Sequence, residues 1–150
     1  MIFNTRLPAI VLLGMVCMSA AANAQSIAQT ATRWGLVGSW RLDCKKPISN
    51  SNGDLAYVVR RGRLFHVRNF GGKRKDSSPV MAATIKSDGS IELLIKFDSL
   101  KQTRQFSMLK GADGRIRSLS NRDVDTDKYT VVKGKFVYNG KATPWQTRCR

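Results

Sequence analysis

The stretch SIELLIKFD, residues 90–98, alternates with a period of two. Ile91, Leu93, Ile95 and Phe97 fall on one side, and Glu92, Lys96 and Asp98 on the other. An extended strand with one buried face puts successive side chains on opposite sides in this way. Leu94 breaks the polar side, so that face is expected to be partly covered. Just ahead, Asp88-Gly89 is a hairpin dipeptide, since a tight two-residue turn needs positive φ at its centre. Met81, Ala83 and Ile85 form the expected inward row of the preceding strand. The arrangement recurs: Arg61-Gly62, Asp113-Gly114 and Asn139-Gly140 each separate two apolar-rich segments. Hairpin follows hairpin, and no interval is long enough for the crossover helices of a parallel sheet.

Strands are therefore expected at 38–44, 55–61, 63–69, 80–86, 90–97, 103–109, 115–120, 129–138 and 144–149. Polar, glycine-containing or acidic stretches at 45–54, 71–79 and 121–128 read as loops. The one helical segment is 25–36, QSIAQTATRWGL, where Ser26 can cap and Ile27, Ala31 and Trp34 share a face. At this length it needs tertiary packing to persist. The expected fold is all-β: an antiparallel meander closed into a barrel of eight or nine strands, with a short N-terminal helix. Closure removes sheet edges that would pair with other chains. A two-sheet sandwich is the alternative.

The first residues carry Arg6, an apolar run from Pro8 to Ala22 and the small-residue site Ala22-Asn23-Ala24. This is the pattern of a secretory signal peptide over 1–24, with a run too short to span a bilayer comfortably. An uncleaved anchor is the rival reading, and no lipid-anchoring cysteine follows the run closely. Residues 25–150 then form one domain, periplasmic or secreted, with no transmembrane segment. Losing Arg6 takes the net charge from +16 to +15, and Glu92 is the only glutamate. Such an imbalance bears on partners and solubility.

Cys17 leaves with the leader, so Cys44 and Cys149 remain as an even pair in an oxidising compartment. A disulfide between them is expected there. Free thiols and an intermolecular bridge are the alternatives.

Gly38-Ser39-Trp40 opens the first strand after the helical lead-in, and Trp145 and Arg148 lie in TPWQTRC near the end of the chain. This G-x-W resembles the opening signature of lipocalins and their relatives, the calycin group of meander barrels. The resemblance implies that Trp40 closes the barrel floor against an arginine from near the last strand, and Arg148 is the residue that matches. A lipocalin's long helix after the eighth strand has no counterpart, so the chain is more similar to helix-poor members such as avidin-like barrels or bacterial periplasmic metalloprotease inhibitors. Avidin's ligand-binding residues do not map onto it. The layout from W-x-x-D-C-x-K-P to G-K-x-T-P-W-x-x-x-C also resembles small exported alphaproteobacterial proteins that have no established activity. Read from the residues alone, Trp40 and Trp145 are core aromatics, because large rings dominate burial.

Catalytic chemistry is sparse. His66 is the only histidine, and with both cysteines oxidised a zinc site of Cys and His ligands is excluded. Asp123, Asp125 and Asp127 have the alternate spacing of a calcium loop, but Lys128 and Gly134 stand where an EF-hand requires Gly and Glu. A solvated acidic turn is the expected reading, with no metal and no cofactor. The first functional expectation is a noncatalytic binding protein. Leu93, Ile95, Phe97, Phe106, Met108 and Phe136 would line a cavity for a small apolar or anionic amphipathic ligand, unless they fill the interior themselves. The alternative is an interaction protein whose basic patch of Arg104, Arg115, Arg117, Lys133 and Lys135 meets anionic envelope components, or which inhibits an exported protein. Nucleic acid is disfavoured by the compartment and by the lack of an evident aromatic pair for base stacking. An enzyme ranks last.

Overall fold

The computed structural model describes residues 26–150; the leader expected over 1–24 lies outside them. Helix α1 spans Ile27–Trp34. Its start is fixed by a capping box: Gln29 N–H donates to Ser26 Oγ (3.2 Å) and Ser26 N–H to Gln29 Oε1 (2.9 Å). Gly35 ends it in the left-handed region at φ +86°, a conformation that costs glycine little. Ala28, Thr30, Ala31 and Trp34 face inward, so the helix is held by packing rather than by its own length. No helix among the described residues is long and apolar enough to cross a membrane.

Ten strands follow: β1 Gly38–Arg41, β2 Asp54–Arg60, β3 Arg63–Asn69, β4 Lys75–Ile85, β5 Ile91–Phe97, β6 Gln102–Lys110, β7 Ile116–Asp123, β8 Tyr129–Val132, β9 Lys135–Phe136 and β10 Thr147–Cys149. All pair antiparallel in one sheet of order β10-β1-β2-β3-β4-β5-β6-β7-β8-β9. The chain is thus all-β, as the alternation predicts, but the closed barrel of eight or nine strands is corrected to an open series of ten. The sandwich fails too, because β4 carries the ladder through: Lys75–Pro79 pairs with β3 and Val80–Ile85 with β5. A bulge between Val80 and Ala82 sits where β4 changes partner. It turns Val80 inward and leaves Met81 half exposed, which corrects the inward row expected of Met81.

Two further departures have local causes. The segment 129–138 breaks into two strands because Lys133 and Gly134 both have positive φ, +50° and +70°. The expected loop 71–79 is partly strand, since backbone pairing with β3 is indifferent to its polar side chains.

The edge of β7 that faces away from β6 is shared. Asn121 and Arg122 pair with β8, while Ile116 makes a lone bridge to Gln146, with N···O distances of 3.1 and 2.8 Å. The stretch 142–149 therefore runs from a bridge with Lys135, past β7, to β1. A disulfide joins Cys44 to Cys149, with Cα atoms 5.4 Å apart. Trp34, Leu36, Trp40, Leu64, Val80, Ile91, Leu93, Ile95, Phe97 and Ile116 belong to one buried cluster that spans both halves of the sheet.

Candidate functional site

A cavity of about 230 Å³ lies beside this core. Leu55 and Tyr57 of β2, His66 of β3 and Phe106 and Met108 of β6 form one side. Ser118 and Asn121 of β7, Val131 of β8, Phe136 of β9 and the segment Thr143, Pro144 and Gln146 complete it. Strand alternation aims Leu55 and Tyr57, Phe106 and Met108 in pairs at the same space. Val131 and Phe136 are cross-strand partners, so one short hairpin supplies two adjoining wall residues. Thr143 locks the last wall segment by donating from Oγ1 to the Ser118 carbonyl at 2.7 Å.

Most of the wall is apolar. Tyr57, His66, Ser118, Asn121, Thr143 and Gln146 set polar groups within that apolar surface, which is the usual make-up of a ligand pocket. Tyr57 and His66, paired in register, stack with ring centroids 4.6 Å apart, and His66 meets Phe97 edge-on at 6.0 Å. His66 is buried and its Nδ1 has no hydrogen-bond partner. Burial lowers its pKa to about 4, with the Arg68 charge adding to the effect and Asp76 opposing it. Burial also raises the Tyr57 phenol above its ordinary value. Both side chains are thus neutral at pH 7.

Cationic groups stand next to the wall. Arg104 donates from Nε to Asn121 Oδ1 (2.7 Å), from Nη1 to Gln102 Oε1 (3.0 Å) and from Nη2 to Thr130 Oγ1 (3.0 Å). All three acceptors are uncharged, and Asp123 acts on the guanidinium only through its field. Arg68 instead holds Asp76 through two hydrogen bonds, Nε to Oδ1 at 2.9 Å and Nη2 to Oδ2, with its Cζ 4.5 Å from the Phe97 centroid. That pairing keeps the Asp76 carboxyl below the usual range.

The residues expected to line a cavity divide. Phe106, Met108 and Phe136 do so, whereas Leu93, Ile95 and Phe97 are packed into the core with exposures of 0%, 0% and 1%. The basic residues divide as well. Arg104 points to the cavity side of the sheet with Phe106, while Arg117, between inward Ile116 and cavity-lining Ser118, points to the outer side. Arg115 and Arg117 flank the half-buried Trp145, at 5.7 and 5.3 Å from its ring. Lys133 and Lys135 sit at the β8–β9 turn, with Arg117 Nη2 donating to the Gly134 carbonyl beneath them (3.1 Å). Trp40 is buried and donates from Nε1 to the Leu36 carbonyl (2.8 Å). Arg148 is exposed at the surface.

Tyr57, His66 and Leu55 were readable as an alternating set in DLAYVVR and RLFHVRN. Asn121, Val131 and Thr143 carried no such signal, because distant pairing and a turn bring them here. The aspartates of the acidic turn do not converge: Asp123 accepts from Asp125 N–H (3.0 Å), Asp125 from Thr103 N–H (3.4 Å), and Asp127 pairs with Arg122 (2.8 Å). Among the described residues no group of three or more His, Cys, Asp or Glu side chains could hold a metal ion.

No family model, no curated protein and no solved structure matches this chain.

Proposed function

We propose that the protein is a noncatalytic, exported binder of a small amphipathic anion, an apolar body carrying an acidic head. The proposed relationship is calycin-like, an antiparallel meander in which the single Ile116–Gln146 bridge ties β7 to the stretch leading into β10. The observation that carries the reading is Arg104, a cation held by three neutral acceptors, one of which, Asn121, belongs to the cavity wall. A guanidinium in that setting is oriented, and its charge is met by no directly bonded carboxylate. An anionic head would form charge-assisted bonds there. At about 230 Å³ the cavity exceeds the roughly 150 Å³ that holds benzene and falls short of the range of about 300 Å³ and above that suits drug-sized ligands. A single ring or a short alkyl chain is the size that fits.

Octanoate and 1-octanol present the same chain with and without the charge. Octanoate should raise the melting temperature of the mature protein and octanol should raise it less, since binding to the folded state alone stabilises it. No shift with either, together with a bare mass in native spectra of protein taken gently from its exporting host, would reject the reading.

A further inference from the structure

The β8–β9 hairpin has two unlike sides. Val131 and Phe136 wall the cavity, while Tyr129, Val132, Val137 and Tyr138 are 45%, 40%, 59% and 80% exposed. The Tyr138 ring lies 5.5 Å from that of Phe136, its one aromatic neighbour among the described residues. Lys128, Lys133, Lys135 and Lys141 stand among these residues, and no acidic residue follows Asp127 in the sequence. Among the described residues none of the four lysines takes part in an ion pair. β9 is also the end strand of the sheet, so nothing pairs outside it except the bridge from Lys135 to Ala142.

Single exposed apolar residues need no explanation, but these four lie within ten residues on one hairpin, interleaved with positive charge that no ion pair compensates. A dry protein interface would ask for a contiguous apolar centre with charge kept to its rim. Here the lysines rise between the apolar residues. That mixture suits a lipid surface, where tyrosine rests at headgroup depth, aliphatic tips enter the acyl boundary and lysine stems bury while ammonium groups stay at the phosphates.

We propose that the hairpin from Tyr129 to Lys141 docks the protein on an anionic phospholipid bilayer. Val137 and Tyr138 enter the interface, and Lys133, Lys135 and Lys141 meet the lipid phosphates. Docking needs no ligand in the cavity, although it sets the cavity wall against the source of any lipid-derived one.

The test is co-sedimentation of the mature protein with phosphatidylcholine vesicles, with and without phosphatidylglycerol. Binding should require phosphatidylglycerol and weaken with salt. Val137→Ser with Tyr138→Ser should lower affinity roughly tenfold or more. Lys133→Asn with Lys135→Gln should lower it by roughly fivefold per lysine. Asparagine tolerates the positive φ at position 133, and circular dichroism checks that each variant folds. Removing the same charge at Lys73 and Arg74 should leave most of the binding. Equal losses at both places, unchanged affinity in the hairpin variants, or binding to heparin without binding to vesicles would each overturn the proposal, the last pointing to a soluble polyanion.

Discussion

Trp40 and Arg148 are direct cross-strand partners on β1 and β10, yet they do different work. The indole is 2% exposed and anchored to the Leu36 carbonyl, whereas the Arg148 guanidinium stays at the surface and donates to the Val37 carbonyl. Trp40→Ala should cost about 3–5 kcal/mol of folding stability, the range for a fully buried large aromatic. Arg148→Ala should cost no more than about 1 kcal/mol, one surface hydrogen bond. Urea unfolding of the two variants checks the contrast, and equal losses would show that the pair acts as one unit.

His66 makes stability depend on pH. Its ordinary pKa of 6.5 applies to the unfolded chain, and in the fold burial and Arg68 lower it to about 4. Between those values the unfolded chain takes up a proton that the folded one refuses. The contribution of neutral His66 is therefore complete above about pH 6.5, falls with pH below that, and is lost by about pH 4. Between pH 7.5 and 5 the loss should be about 2 kcal/mol. His66→Phe should remove most of it, and at pH 7.5 it should cost about 1 kcal/mol for the imidazole's hydrogen bond to the Ala56 backbone, since Nδ1 itself gives up none.

The disulfide between Cys44 and Cys149 closes a separation of 105 residues. Chain entropy assigns a loop of that order roughly 4 to 5 kcal/mol. Cys44→Ser with Cys149→Ser should lose a large part of this in denaturant titration. It should also loosen the wall segment from Thr143 to Gln146, seen as faster amide exchange there.

Arg104→Gln keeps a hydrogen-bonding side chain and removes the charge. It should reduce the preference for octanoate over octanol by roughly tenfold, the value of one charge-assisted bond. Isothermal titration with both probes reads the ratio, and an unchanged ratio would place the acidic head elsewhere.

At Gly134, φ is +70° and a Cβ would clash with the end of the Arg117 guanidinium. The flexible guanidinium can move aside, so the cost of Gly134→Ala lies mainly in the backbone, about 1 kcal/mol. A melting temperature equal to that of the parent protein would contradict this.

Local signals were legible and distant ones were not. The capping box at Ser26, the alternation of β5 and the Asp88-Gly89 turn depend on neighbours in sequence, and the fold keeps them. The number of strands depended on Lys133 taking positive φ, for which lysine gives no cue. Met81 misled because one bulged residue exchanges the faces of a strand. At the cavity, periodicity found Phe106 and Met108 but also drew in Leu93, Ile95 and Phe97, which share their inward direction and differ only in how tightly they are covered. That difference is set by α1 and by the segment 142–149, which sequence pattern alone could not place against the sheet.

From β1 to β9 every strand pairs with its successor in the chain, and only β10 returns to a distant partner. Most of the sheet can therefore assemble in microsecond hairpin steps, each closing a short loop. The β1–β10 pairing must bring together segments more than a hundred residues apart, which makes it the slow event. Until it occurs β1 has a free edge and the stretch beside β7 is unplaced, and an unpaired edge is a template for pairing with other chains. Oxidation of Cys44 and Cys149 then acts as the latch that makes this last step hard to reverse.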